Sequence, residues 1–347
     1  MALGLREALA SCVVAPAALR IMNARTALQI ATLTLGPEAQ ERYGAPFWVV
    51  HRGDLQRALL NAVHAHPLIT LRLGTAVAGH AFHADGVAVA AKWRDLRIQE
   101  NGAALIGADG LHSVTRNALG ISAWPEFHGR SAWRATVPAT ALPDNWAGDT
   151  HLWLGPGTHL VHYPVQAGRA INLVAIVQDM TESDDWNAPA DPSLLLSSIR
   201  SWSPDIRGML SSVPEWRAWS LYELPVLDHW GAGPVTLLGD AAHAMLPFVA
   251  QGAAMAIEDA WTLAACVSRD PDDITAAFRA YERARMPRTA QVARAAASTG
   301  KIYGLPHPFA AARNIAMRMM GDERLRRRYD WIYGWTHDDR VRQPAKE

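Results

Sequence analysis

The sequence predicts an α/β protein whose parallel sheet is interrupted by an inserted, mostly antiparallel β-sheet and followed by a helical C-terminus. Three observations carry this. "GPVTLLGD" (233–240) gives a Gly-Pro turn, then Val235, Thr236, Leu237 and Leu238 as a strand covered on both faces. It leads into "QGAAMAIEDAWTLAACV" (251–267), where Met255, Ile257, Trp261, Leu263 and Val267 among alanines mark a long buried helix. From Trp124 to Trp230 the texture changes to short strands separated by Gly, Pro and polar turns.

Along the chain, "LREALASCVVAP" (5–16) reads as the end of a helix with an exit at Pro16. "AALRIMNARTALQIATLTLG" (17–36) alternates enough to form two strands. "PFWVVHRGDLQRALLNAVHAH" (46–66) begins as a strand and turns into a helix with Leu55, Leu59, Leu60 and Val63 on its apolar face. Residues 69–110 read as short strands with turns at "HADG" and "QENG", ending in "ALIGADG", a strand that delivers Asp109. Within the insert, "SAWRATVPA", "THLWLGPGTHLVHYPV" and "RAINLVAIVQD" are strands and "DPSLLLSSIRSW" is a helix. Strand then helix returns after Gly233, and the rest from Asp272 is mostly helical.

Composition narrows the function. Half of the 347 residues are apolar, the formal net charge is zero and no long like-charge run occurs, which argues against a nucleic-acid partner. No apolar run approaches the roughly 20 residues of a membrane helix, and Cys12 and Cys266 cannot form a disulfide framework, so a cytoplasmic protein is expected. Nine of the fourteen tryptophans lie between Leu119 and Gly231. They read as core filler, with a pocket for a flat aromatic ligand as the alternative.

A carboxylate where a buried strand gives out, followed by a tight turn and a helix, is the layout of a ligand site at the carboxyl end of a parallel sheet. Asp240 holds that place, and capping of the next turn is the competing role. "VVHRGDLQRALL", "LIGADGLHSVTR" and "LLGDAAHAMLPFVAQGAAMAIEDA", in this order, resemble the class A flavin-dependent aromatic monooxygenases, the salicylate and para-hydroxybenzoate hydroxylase group. "WRATVPA", "HLVHYPV" and "LPVLDHWGAGPVTLLGD" extend the likeness over nearly the whole chain.

The resemblance implies a Rossmann-like FAD-binding domain over 1–120 and 232–300, a substrate domain over 121–231 and a C-terminal helical segment over 301–347. It implies hydroxylation of a small aromatic acid with NADH or NADPH and dioxygen, by way of a flavin hydroperoxide. An epoxidase on the same fold, or a remnant unable to hold FAD, is the alternative, and a homodimer is left open. Cofactor contacts fall on Arg52, Asp109, Gly110, Gly239, Asp240, Gly252 and Ala253, with Ser113 and Arg116 in support. The unpaired amides at 251–253 suit the pyrimidine edge of a reduced flavin. Arg52 has a fork that fits a pyrophosphate. Pro247 falls beside flavin and substrate, and His162 with Tyr163 is expected to supply the base or phenol partner. His243 reads as structural, His151 and His159 as exposed, and no histidine spacing supports a metal. The branch normally opens with a strand, a GxGxxG loop and a helix, and this chain has none of it. A gene reading that starts late, with that βαβ unit missing, is the expectation.

Overall fold

The computed structural model describes residues 4–182 and 188–336; Trp186 and residues 337–347 of the expected C-terminal segment lie outside the described residues. Its strands in chain order are β1 Ala18–Asn23, β2 Gln29–Thr34, β3 Thr75–His83, β4 Gly86–Trp93, β5 Leu96–Gly102, β6 Leu105–Gly107 and β7 Glu126–Pro138. There follow β8 Thr150–Leu154, β9 His159–Val165, β10 Ala170–Gln178, β11 Ala188–Ala190, β12 Trp216–Glu223, β13 Gly231–Ala232 and β14 Val235–Leu237. The chain divides into two units: residues 1–71, 129–221 and 301–334, and residues 72–128, 222–300 and 335–347.

This division differs from the expected one at both ends of the chain. Residues 1–71 join the inserted sheet because β1 pairs in parallel with β8, Leu19 opposite Thr150 through Asn23 opposite Leu154. Residues 301–334 join it because the helix Phe309–Arg327 lies on β2, where Asp322 accepts hydrogen bonds from Thr34 N at 3.0 Å and Thr34 Oγ1 at 2.8 Å.

The first unit holds an eight-stranded sheet in the order β11-β12-β7-β10-β9-β8-β1-β2. Side chains alternate between its faces. One face carries Trp133, Trp153, Leu160, Leu173 and Trp216 and is closed by Leu195 and Ile206 from the helices Ser193–Ser198 and Pro204–Ser211. Five tryptophans sit in this core, each ring burying about 150–250 Å², so most of the tryptophan excess is core filler. The other face carries Ile21, Leu152, Leu154 and Val161, covered by Leu325, Tyr303 and Met317. Part of this face, on β7, β9, β10 and β12, lines a cavity.

The second unit contains the antiparallel ribbon β3-β4-β5 and the small sheet β13-β14-β6. The "HADG" turn joins β3 to β4 as expected, but the next reversal is at Arg94, with φ of 54°, and "QENG" lies inside β5. That shift keeps Val87 and Ala91 buried, because a register slip would turn them outward. β14 runs parallel to β6, Val235 opposite Leu105 and Leu237 opposite Gly107. Two strand ends therefore emerge side by side, followed by the "ADG" and "GDAAH" turns. Among the described residues no helix is long and apolar enough to cross a membrane.

Candidate functional site

At the end of β14 the chain turns on Gly239, whose φ of 64° is a left-handed conformation that glycine adopts without a steric penalty. Asp240 follows, exposed, at the start of the one-turn helix Asp240–His243. The turn is held from beneath by Asp259, which is fully buried. Its Oδ2 accepts from Gly239 N at 3.2 Å and from His243 Nε2 at 2.5 Å, and its Oδ1 accepts from Arg285 Nε at 2.6 Å. Arg285 also donates to Glu258 at 2.7 Å, and Glu258 accepts from Arg288 at 2.6 Å. Burial alone would raise the Asp259 pKa; the His243 and Arg285 contacts outweigh it and hold the carboxyl below its ordinary value. His243 is thus part of a buried structural network, its Nε2 on the Asp259 carboxylate.

Asp109 at the end of β6 plays a similar local part. Its carboxylate accepts from Ser113 Oγ at 2.5 Å and from Thr115 N and Oγ1, both at 2.9 Å. Burial opposes ionisation there, but these three donors win and the pKa falls. Gly110 takes a φ of 77° in the same turn. Arg116, 1 % exposed, donates to Ala241 O and Leu111 O, both at 2.8 Å, and so ties the two turns together. Asp109, Gly110, Gly239 and Asp240 are in this way assembled at one sheet end.

The helix Gly252–Arg269 begins without a side-chain cap on Gln251, and space above Gly252 is open: an added Cβ would touch nothing within 4 Å. Ala253 is exposed, and Pro247 is half-buried at the start of the one-turn segment Pro247–Val249. Free amides, an uncapped positive helix end and open space over a glycine fit the electron-rich edge of a flat anionic ring. The residues present therefore fit the flavin that the sequence implies.

In the first unit, a cavity of about 610 Å³ opens on the uncovered part of the eight-stranded sheet. Its wall includes Arg52, Arg134, Tyr163, Asn172, Arg217 and Trp219. Arg52 is exposed at the first position of the helix Arg52–Ala65, where the helix dipole disfavours a cation. Tyr163 sits opposite Asn172 across the β9–β10 pair. Burial pushes its phenol pKa up, while Arg134 and a hydrogen bond from Asn172 pull the other way, so the group stays protonated at neutral pH.

His162, next along β9, points to the opposite face. It is fully buried, stacked on His151 with ring centroids 4.7 Å apart, and among the described residues neither ring nitrogen has a hydrogen-bond partner. Burial, with His151 beside it, drives its pKa well below the usual imidazole value. The structure does not bring His162 and Tyr163 into one pocket, because adjacent strand residues face opposite ways. His151 and His159, expected to be exposed, are 1 % and 3 % exposed, because β8 and β9 are interior strands of the sheet. His159 shares the Tyr163 side of β9 and meets Tyr303 edge-on at 5.4 Å.

Sequence reasoning missed Arg134, Asn172, Trp219 and Asp259. A signal existed for Arg134: in "SAWRATV" the arginine alternates with a buried Trp133 and so must face the other side of the sheet. Nothing local marked Asp259, whose partners lie 16 to 26 residues away.

Comparison with known proteins agrees with this geometry. The FAD binding domain family matches residues 13–296. The chain is 35% identical, over 96% of its length and 82% of the relative's, to 3-amino-4-hydroxybenzoate 2-monooxygenase of Streptomyces cremeus. It is 32% identical, over 92% of its length and 80% of the relative's, to 3-hydroxybenzoate 6-hydroxylase of Klebsiella oxytoca. Among solved structures, a salicylate hydroxylase substrate complex superimposes with a TM-score of 0.79 at 24% identity, covering 96% of this chain and 86% of that one.

Proposed function

The chain belongs to the FAD-dependent aromatic monooxygenases, and from that premise we propose that it hydroxylates a small hydroxylated aromatic acid using NADH or NADPH and dioxygen. The observation that carries the substrate side is the cavity on the open sheet face, where a protonated phenol, a tryptophan face and guanidinium groups share one wall. Those are the complements of a phenolic hydroxyl, an aromatic ring and a carboxylate.

Gly239, Asp240, Gly252 and Ala253 hold the flavin, the first two by backbone approach and a hydroxyl-accepting carboxylate, the others through free amides. Pro247 lies on the adjoining loop as a rigid neighbour. Asp109 and Gly110 act by fixing the companion turn, since both Asp109 oxygens are already engaged. Arg52 offers its fork to a phosphate. Bound FAD, reduced by the nicotinamide coenzyme, supplies the oxygen-activating chemistry. Tyr163, protonated, donates a hydrogen bond to the substrate's ring oxygen, which orients it and favours its phenolate form once the proton has passed to solvent, and the cavity wall limits water.

The test is substrate-stimulated NADH or NADPH oxidation by the FAD-supplemented protein, with hydroxylated product followed by mass spectrometry across 2-, 3- and 4-hydroxybenzoate. Absence of both FAD binding and stimulation would overturn the reading. Asp240→Ala should weaken FAD binding about ten- to a hundredfold, the worth of a hydrogen bond to a charged group. FAD fluorescence quenching reads this, with the exposed Asp228→Ala as the control that stays at the wild-type value. Equal affinity in the two variants would remove Asp240 from the flavin site.

His162→Leu should keep the ratio of product to coenzyme consumed and leave the unfolding midpoint unchanged or raised. Replacing an unpartnered buried imidazole by an apolar side chain removes a desolvation cost. A fall in that ratio in a folded variant would place His162 back in the reaction.

A further inference from the structure

We propose that the ring of Phe248, seated on the bare backbone of Gly300, is the pin that positions the loop 247–253 and so sets where its free amides point. The inference rests on the assignment of Gly252 and Ala253 to the flavin above, and it names the residues that hold them in place.

The loop leaves Pro247 in one tight turn, closed by the Ala250 amide donating to Pro247 O at 3.0 Å. Ala250 sits in the left-handed region, with φ of 52° and ψ of 35°, and the helix Gly252–Arg269 starts two residues later. A residue with a Cβ stays in that region only where its surroundings hold it. Phe248, 7 % exposed and in the same unit, supplies the hold. On one side its ring meets His128, with ring centroids 6.1 Å apart. On the other lies Gly300, buried in the helix Ile274–Tyr303. A Cβ added to Gly300 would fall well inside 3.0 Å of the ring atoms Cδ2 and Cε2 and would reach Cζ at 3.0 Å. Carbon atoms in contact prefer about 3.5–4.0 Å, so no side chain fits there unless the ring moves.

Glycine weakens a helix relative to alanine, and Gly300 lies before the helix ends at Tyr303, so it is not the residue that stops it. The seated ring is the reason for the missing side chain. The same long helix carries Arg285, which reaches Asp259 beneath the Gly239 turn. One helix therefore braces both the turn that carries Asp240 and the loop that carries Gly252. Only residues 249–251 separate Phe248 from Gly252, so a displaced ring carries the amides with it.

The contact is tested first without flavin, by hydrogen exchange of the amides at 248–255 in the purified protein. Gly300→Ala should speed exchange there about tenfold while the β10 amides keep the wild-type rate. Its FAD affinity, read by fluorescence quenching, should fall about tenfold, the worth of one misplaced hydrogen bond. Phe248→Val lacks the ring carbons that meet the added Cβ, and alone it should loosen the loop in the same direction. Combined with Gly300→Ala it lets the new methyl refill the space. The pair should return to within about threefold of the wild type in both measurements, a non-additive rescue that a general loss of stability does not give. Gly208→Ala, at an exposed position of the helix Pro204–Ser211 where an added Cβ meets nothing within 4 Å, should behave as wild type.

The proposal fails if folded Gly300→Ala exchanges and binds FAD as the wild type does, or if the two substitutions lose affinity additively. It also fails if exchange quickens while FAD affinity holds, since the loop would then not present the flavin's amides. If Gly300→Ala does not fold, the pair decides: recovered fold and FAD binding support the pin, and a pair that stays unfolded overturns it. Absence of FAD binding in the wild type would strike the flavin reading, and exchange and rescue in the flavin-free protein would still decide the contact.

Discussion

Asp259→Ala should cost the second unit about 3–5 kcal/mol of stability, the usual penalty for breaking a buried ion pair from one side. The substitution strands Arg285, 1 % exposed, and withdraws the acceptor from His243 and from the Gly239 amide at once. Glu258 remains on Arg285 and limits the loss. Urea unfolding followed through Trp230, whose ring centroid is 5.2 Å from that of His243, reads the change. A loss below about 1 kcal/mol, the level of an exposed pair, would show that the network is not what holds the turn.

The same carboxylate sets a pH dependence. Its folded pKa is depressed, so its contribution is complete above the unfolded value of about 3.9 and is lost as pH falls through the lower folded value. The acid limb of the stability curve should therefore be shallower in Asp259→Ala than in the wild type. Parallel limbs would mean that other carboxylates carry the acid response.

Tyr163→Phe should lower hydroxylation about 10²- to 10⁴-fold, the range for losing a group that assists the substrate's ionisation. Phenylalanine keeps the ring and most of the packing, so folding and flavin binding should hold while coenzyme oxidation runs on with hydrogen peroxide in place of product. The ratio of product to coenzyme consumed is the measurement. An unchanged ratio would reduce Tyr163 to a wall residue and turn attention to His159 on the same side of β9.

Local pattern was enough for much of this protein. Apolar runs with glycine turns marked β14, β6 and the helix Gly252–Arg269, and the Asp-Gly and Gly-Asp pairs sat where those strands end. Gly110 and Gly239 take a positive φ at those turns, a conformation that glycine adopts without strain. The ordered motifs also identified the family, since each encodes a local approach of backbone to cofactor.

What the sequence could not decide was partnership across long separations. The first 71 residues were read as part of the cofactor domain, yet β1 joins the eight-stranded sheet through β8, some 130 residues on. His162 and Tyr163 looked like one functional pair because they are adjacent, and the pleat sent them to opposite faces. Asp259 gave no local sign of its role, because a buried charge is defined by what folds around it. Sequence fixes the direction of each strand's alternation, but only the packed sheet decides which of the two faces is sealed by helices and which is left open to bind.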